Sequence, residues 1–452
     1  MKEKNKLSVK RVLVVGSWAK EQITIENISS NPDIEIFSYM DIRNPGIISQ
    51  VKGYQIGSLY DIPGIVNYAL EKKIDLVIIT TASPLSMGLV DALEEKSILA
   101  FGPVRLAARL ESDKEFTHKL LQKYMPSAIP QFEVFEDPDS AIDHAEKLNW
   151  QVAVKPIGLT EGLGVRVFGE QLKDENEVIK YIHQINNQKI GGSSKVIIEE
   201  KIEGEEFTLQ CFVHGDHIIT TPAVQDFKRL LPGEKGPNTA SMGSYSQQGY
   251  LLPFMEEKDY EKALQIIRGT LDGFRKETGK ICSGFLYGQF MLTANGVKLI
   301  EYNFRPGDPE WMNTVIILKN NLLDVILRLL QGDDRALNFE NQATVCKYIV
   351  PEGYPEKLYQ HLEVDLDEAS FQKIDGLKYY YSCGLDDTGK LKVETERGIA
   401  FIAKAPTIEE ANEKVDGAIS LVNGIFYYRK DIGTKDLVDS KISNINRLRA
   451  SR

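Results

Sequence analysis

The sequence predicts a multidomain protein of α/β and α+β segments: an open α/β unit, a larger α+β segment and a small α+β unit at the end. Three observations lead there. Short β-branched runs alternate with helical patterns over the first hundred residues, which favours an open parallel sheet. The middle third instead carries longer strand-like runs, the last two joined by Ala294-Asn-Gly296, and Asn-Gly is a strong hairpin signal. After the locally polar Gly332-Asp-Asp334 further strand runs appear. The divisions read from this are residues 1–111, 112–332 and 333–452, with a mobile lobe at roughly 126–194 inside the second.

In order along the chain, Arg11-Val-Leu-Val-Val-Gly16 reads as a buried parallel strand running into a turn. Residues 34–39 and 76–80 repeat the pattern, separated by helical stretches such as 62–72 and 88–96. Phe101-Gly-Pro103 closes this unit, and a helix beginning near Ser112 opens the next. Strands are expected at 152–155, 195–199, 208–213, 288–293 and 297–302. In the last segment they are expected at 343–350, 378–384, 392–394 and 399–405, followed by a helix over 408–423. There is no internal repeat and no low-complexity tract.

The bulk numbers narrow the function. A chain of 452 residues has room for about three domains. Its net charge of −11, without a basic run, argues against a nucleic-acid partner, since phosphate backbones need clustered Lys and Arg. Cys211, Cys282, Cys346 and Cys383 are too far apart for a zinc or redox motif, and so sparse that a disulfide framework is not expected. The first ten residues are polar and no apolar run reaches the length of a membrane span. The expectation is a cytoplasmic protein with no membrane partner.

Four stretches carry chemistry. Lys155-Pro-Ile-Gly158 continues into Gly162 and Gly164; glycines let backbone N–H groups approach a phosphate and the lysine adds a point charge. It lacks the Gly-Lys-Ser/Thr of a Walker loop, and alone it is as often a ligand-free hairpin. Glu301 and Asn303 are two apart on one strand, so their side chains share a face and could hold a hard cation such as magnesium. A polar strand face in water is the plainer reading, weakened by apolar Val297, Leu299 and Ile300. Arg305-Pro-Gly-Asp308-Pro-Glu310 is a rigid turn whose arginine fork can hold a carboxylate or a transferring phosphoryl group, or simply a surface ion pair. Gln225-Asp226-Phe-Lys228-Arg229 and the small, polar stretch from Gly236-Pro-Asn238-Thr239 to Tyr245 read as a charged cluster and a long loop.

Taken in order, these motifs resemble the glycinamide ribonucleotide synthetase (phosphoribosylamine–glycine ligase) family of the ATP-grasp superfamily over nearly the whole chain. Ser83-Pro-Leu, Ser112-Asp-Lys114, Gly353-Tyr-Pro355 and the terminal run from Phe426 to Gly433 extend the likeness. The resemblance implies an N-terminal pre-ATP-grasp α/β domain, a two-lobe ATP-grasp domain and a small C-terminal domain. It implies ATP bound by Lys114, Lys155, Gly162 and Gly164, with Glu199, Glu200 and Ile202 as the hinge against adenine and Glu206 towards the ribose. It implies Mg2+ or Mn2+ on Glu301 and Asn303, and Asp226, Lys228, Arg229 and Arg305 at the reacting centre. The substrates implied are small molecules, an amino-acid carboxylate and an amine such as phosphoribosylamine, joined through an acyl phosphate by a monomer or small homo-oligomer of purine biosynthesis.

The departures from the family concentrate at one end. Its first loop reads Gly-Ser-Gly-Gly-Arg-Glu-His, where this chain has Gly16-Ser-Trp18-Ala-Lys20-Glu-Gln22. Its Gly-Pro-Glu-Ala-Pro-Leu is Thr80-Thr81-Ala82-Ser83-Pro-Leu85 here. The Gly-Gly after Gly-Pro-Asn-Thr is Ala240-Ser241, and a lysine of the phosphate loop is Leu163. Bulk is gained and a carboxylate lost, so the acceptor pocket is expected to be smaller or less polar and phosphoribosylamine to be used poorly. A sister ligase with another amine or carboxylate, and a nucleotide-binding protein without catalysis, stay open beside the ordinary ligase.

Overall fold

Arg11–Val15 forms the middle of a five-stranded parallel sheet because Val12 to Val15 are apolar on both faces and fully buried, leaving no face for water. The computed structural model describes residues 9–158, 164–355, 361–393 and 397–451. Within it the strand order is Gly53–Ile56, Glu35–Met40, Arg11–Val15, Leu76–Ile79, Leu99–Phe101, every pair parallel. Strand order reverses between Arg11–Val15 and Leu76–Ile79, and ligand crevices of open α/β sheets lie beyond the carboxyl ends at such a point. The loops there are 16–18 and 80–81. Gly16, at φ +136°, makes the turn; a Cβ on it would lie 2.7 Å from the Glu21 carboxyl carbon.

The next lobe is an antiparallel sheet ordered Phe132–Phe135, Val196–Glu200, Val152–Pro156, Arg166–Val167. Helices Pro138–Lys147 and Glu175–Gln188 bury Ala141, Ala145, Val178, Ile182 and Ile185 against Val152, Val154 and Ile198. Residues 201–203 lead directly into the facing lobe. Its antiparallel sheet is ordered His217–Thr220, Gly204–His214, Ser283–Thr293, Gly296–Asn303. The expected hairpin is present: Thr293 pairs with Gly296 across Ala294-Asn295.

That hairpin holds a β-bulge. Gln289 pairs with Glu301 but Phe290 with Leu299, which leaves Ile300 extra. Val297 and Leu299 are buried, and Tyr302 continues their face after the bulge, its hydroxyl 2.8 Å from Thr270 of helix Glu257–Thr278. Glu301 and Asn303 are thereby moved to the other face. Without the extra residue, simple alternation would have put them in the core with Val297 and Leu299.

A third sheet, antiparallel throughout, is ordered Gln225–Asp226, Gly243–Ser246, Ala343–Ile349, Ile399–Ala405, Leu377–Tyr381, and helix Ile408–Ile419 packs on it. Two of its strands come from residues 225–246, so the middle and final segments share a sheet. The long loop expected at 236–245 is corrected by these pairings. Lys235–Asn238 forms a hairpin with Arg229–Leu231, and Gly243–Ser246 is a central strand. The second escapes a hydrophobicity reading because, Tyr245 apart, its interior side chains are small and polar, Ser246 Oγ lying 2.7 Å from Thr344 Oγ1. The helix expected over 408–423 is also shorter, ending at Ile419; Asn423–Gly424 pairs with Val364–Asp365, and a further helix, Lys435–Ala450, closes the described chain. Among the described residues no helix is long and apolar enough to cross a membrane.

Candidate active site

A cavity of about 510 Å³ opens where the carboxyl ends of the parallel sheet face the Gly296–Asn303 strand and the third sheet. The bulge aims Glu301 and Asn303 into it, and the turn that follows adds Arg305 and Asp308. Asp226 and Lys228 enter from the edge of the third sheet, and Lys114 from the first turn of helix Lys114–Tyr124, which Asp113 caps through the Phe116 amide. These five sequence-expected residues and Arg305 converge on one space.

Their charges set each other. Burial alone would push the Glu301 carboxyl up, but Lys228, Lys114, Lys155 and Arg305 outweigh it and hold Glu301 below the usual carboxylate range. Burial would likewise lower Lys228; Glu206, Asp226, Glu301 and Glu310 keep it charged, and its ammonium donates to Gln289 Oε1 at 2.9 Å. Burial pushes the Asp226 carboxyl well up, Lys228 pulls it back, and Glu310 and Glu206 add to the rise. Arg305 donates to Asn303 Oδ1 at 3.2 Å and to the Pro306 carbonyl at 3.0 Å, and its Nε is 3.3 Å from Glu111 Oε1. The second Glu111 oxygen accepts from the Phe304 amide at 2.9 Å, so Glu111 fixes both the guanidinium and the backbone that carries it.

Lys155 and Glu199 are close by without lining the cavity. The Lys155 ammonium donates to Glu199 Oε1 at 2.5 Å, and His118 Nε2 is 2.8 Å from the other carboxylate oxygen. Burial would raise Glu199, but Lys155 and His118 bring it below the ordinary range. Lys114, lowered by burial, donates to the Gly158 carbonyl at 3.0 Å. Glu206 accepts from Gln289 and is 3.8 Å from Lys228.

Other expected residues stand elsewhere. Arg229 is not among the lining residues; it donates to Glu170 at 2.7 Å and to the Gly236 carbonyl at 3.0 Å, joining the first lobe to the 229–238 hairpin. Glu200 accepts from the Gln131 amide, Gly164 from the Tyr181 hydroxyl, and Ile202 is in the link between the two lobe sheets. Gly162 and Leu163 lie outside the described residues.

Sequence reading passed over Glu111, His118, Tyr287, Gln289 and Arg397. The hairpin register places Gln289 opposite Glu301 and Tyr287 opposite Asn303, a signal readable from the Asn-Gly turn once the bulge is known. Tyr287 donates to Glu310 at 2.8 Å. Arg397 arrives from the third sheet and donates to the carbonyls of Ala240 at 2.7 Å and Asp308 at 2.9 Å; no local pattern marks it.

At the far end Trp18, Lys20, Thr81, Ala82 and Ser83 line the cavity. Glu21 ties the two switch-point loops, accepting from the Trp18 amide at 2.7 Å and the Thr80 hydroxyl at 2.5 Å. Lys20 is buried, which lowers its pKa, and its ammonium is 4.0 Å from Glu21.

The donor set suits a hard divalent cation. Among the described residues no three or more His, Cys, Asp and Glu side chains form a metal cage. Glu301 and Asn303 offer one ionised carboxylate and one amide oxygen, which fits an ion that completes its shell with phosphate oxygens and water.

Likeness to known proteins extends along nearly the whole chain. Family models described as the N, ATP-grasp (A) and C domains of phosphoribosylglycinamide synthetase match residues 10–111, 112–311 and 344–435. The chain is 41% identical to the phosphoribosylamine–glycine ligase of Methanopyrus kandleri, over 97% of this chain and 99% of that protein. It is 42% identical to that of Methanothermobacter thermautotrophicus, over 97% and 100%. A crystal structure of the Thermotoga maritima phosphoribosylamine–glycine ligase superposes with a TM-score of 0.77 at 26% identity, covering 93% of this chain and all of the other. With all three domain models matched in order and two relatives so similar along nearly their whole length, the chain belongs to the phosphoribosylglycinamide synthetase family.

Proposed function

We propose that this protein is a cytoplasmic phosphoribosylamine–glycine ligase of purine biosynthesis, using ATP with Mg2+ or Mn2+ held by Glu301 and Asn303. The γ-phosphoryl group of ATP passes to the glycine carboxylate, giving glycyl phosphate and ADP. The amine of phosphoribosylamine attacks that acyl carbon, the C–O bond to phosphate breaks, and glycinamide ribonucleotide, phosphate and a proton are released. The bound cation supplies charge neutralisation at the transferring group. Lys228 and Arg305 hold positive charge in the same space, Glu111 orients the Arg305 fork, and Lys114 and Lys155 serve the nucleotide phosphates.

The observation that supports this reading is a single cavity uniting the Glu301–Arg305 strand end with the switch-point loops of the parallel sheet. A two-substrate ligase needs that continuity, because the activated carboxylate and the attacking amine must meet. The expectation of poor acceptor use is set against two cations at or beside that end, Lys20 and Arg397, either of which could face a sugar phosphate. The test is the specificity constant for phosphoribosylamine with glycine and saturating MgATP. A value of about 10⁴ M⁻¹s⁻¹ or more supports the ordinary ligase. Glycine-dependent ATP turnover with phosphoribosylamine inert would move the assignment to a sister ligase with another amine.

A further inference from the structure

Asp308 lines the cavity and carries a buried oxygen that no described residue satisfies. Its side chain is 6% exposed, and Oδ1 accepts from the Tyr348 hydroxyl at 2.5 Å and is 3.3 Å from Arg397 Nη2. Arg397 also holds the Asp308 carbonyl at 2.9 Å, so the carboxylate is fixed from two sides. Oδ2 is buried and has no hydrogen-bond partner among the described residues. A buried carboxylate oxygen without a donor is rare and costly, and it calls for a reason.

The missing partner must be a donor brought into the cavity. We infer that Asp308 Oδ2 receives the ammonium group of the amino-acid substrate. This rests on the reading that the cavity activates an amino-acid carboxylate. In an α-amino acid the nitrogen is two bonds from the carboxyl carbon, about 2.5 Å from standard bond lengths. The counter-charge for the ammonium therefore has to sit beside the group that holds the carboxylate. Arg305 is the fork suited to the carboxylate, and Asp308 follows it in the same turn, both lining the cavity.

The other acidic groups of the cavity are taken. Glu111 is bonded to Arg305 and the Phe304 amide, and Glu310 accepts from Tyr287. Glu301 is surrounded by cations and faces the proposed metal, while Asp226 accepts from Gln289 Nε2 at 3.4 Å and lies beside Lys228. Asp308 alone combines burial, rigid support and an open acceptor.

The experiment measures glycine binding by calorimetry with Mg2+ and a non-hydrolysable ATP analogue, for wild type and Asp308→Asn. Asparagine keeps the volume and an acceptor for Tyr348. Glycine affinity should fall about 100-fold, as for loss of a charge-assisted hydrogen bond, while the ATP analogue binds as before. Glycolate, with a hydroxyl in place of the ammonium, should bind wild type far more weakly than glycine and be indifferent to the substitution. Equal glycine affinity in the two proteins overturns the assignment and leaves the ligase reading intact. Should the variant not fold, wild type decides, since comparable binding of glycolate and glycine also overturns it. If glycine fails to bind but another amino acid binds and depends on Asp308, the glycine reading falls and the ammonium site stands. If wild type binds no amino acid, both fall.

Discussion

Replacing Glu199 with Gln tests how the first lobe is held together. Glu199 and Lys155 are 5% and 4% exposed, on the two central strands of the lobe's four-stranded sheet, with the ammonium 2.5 Å from one carboxylate oxygen and His118 2.8 Å from the other. Gln fits the same space but leaves Lys155 buried without a counter-charge. Breaking a buried pair from one side costs about 3–5 kcal/mol, and since Gln retains an acceptor the lower figure applies. About 3 kcal/mol is roughly two orders of magnitude in an opening equilibrium. The measurement is amide hydrogen exchange, because a multidomain chain has no single unfolding free energy. Protection over 152–156 and 196–200 should fall about 100-fold in Glu199→Gln, while 11–15 and 76–79 keep theirs. The folded pKa of Glu199 is depressed, so its contribution is present at neutral pH and is lost as pH falls below the unfolded carboxylate value of about 4.3 towards the folded one. The difference between the proteins should therefore close only in acid. Adding Lys155→Met should recover most of the lost protection. Unchanged protection in Glu199→Gln at pH 7 would refute the claim that this pair carries the lobe.

Three further outcomes follow from the cavity. Glu301→Gln or Asn303→Ala should lower ATP turnover at least about 100-fold with exchange in the parallel sheet unchanged, and chelation of wild type should reproduce the loss until Mg2+ is returned; near-normal rates in a folded double variant would remove the metal role. Asp226→Asn should raise hydrogen-exchange protection over the paired strand Gly243–Ser246 at pH 8 and hardly change it at pH 4, because a carboxyl with a raised folded pKa loses its favourable contribution as pH climbs above its unfolded value of about 3.9; turnover should fall at the same time, and lower protection at pH 8 would contradict the sign. Arg397→Lys cannot reproduce a fork that serves the Ala240 and Asp308 carbonyls together, so kcat/KM should drop about 10-fold or more with ATP binding preserved, as read by steady-state kinetics and nucleotide titration.

How much of this was legible in the sequence depends on where each residue finds its partners. Val12 to Val15 announce a buried strand because nothing in them tolerates water, and the Asn-Gly turn marks its hairpin because the geometry is local. Gly53–Ile56 and Leu99–Phe101 were not read as strands: they are short sheet edges, and the first alternates between half-buried and exposed, so burial imposes no apolar run on them. Gly243–Ser246 was missed for the opposite reason: apart from Tyr245 it is buried through glycine and serines, Ser244 bonding Asn313 and Ser246 bonding Thr344. Alternation correctly put Glu301 and Asn303 on one face. It could not show that Ile300 turns that face from the core to the cavity, since a bulge is set by the partner strand.

The site divides in the same way. The motifs name the residues that carry charge, but pairing is a property of the fold: Glu111 reaches Phe304 across 193 positions, and His118 reaches Glu199 across 81. Lys155 shows what that omission hides. Its place before a glycine-rich stretch suggests an ammonium waiting for phosphate, yet here the ammonium is already neutralised by Glu199. On the proposed role of Lys155, a nucleotide phosphate would share that ammonium with the carboxylate or take it over. If it takes it over, His118 Nε2 is left as the hydrogen-bond partner of the buried Glu199 carboxylate. That arrangement gives the buried Lys155 side chain a partner that fixes its place ahead of any nucleotide, where a lone buried polar group would lack one.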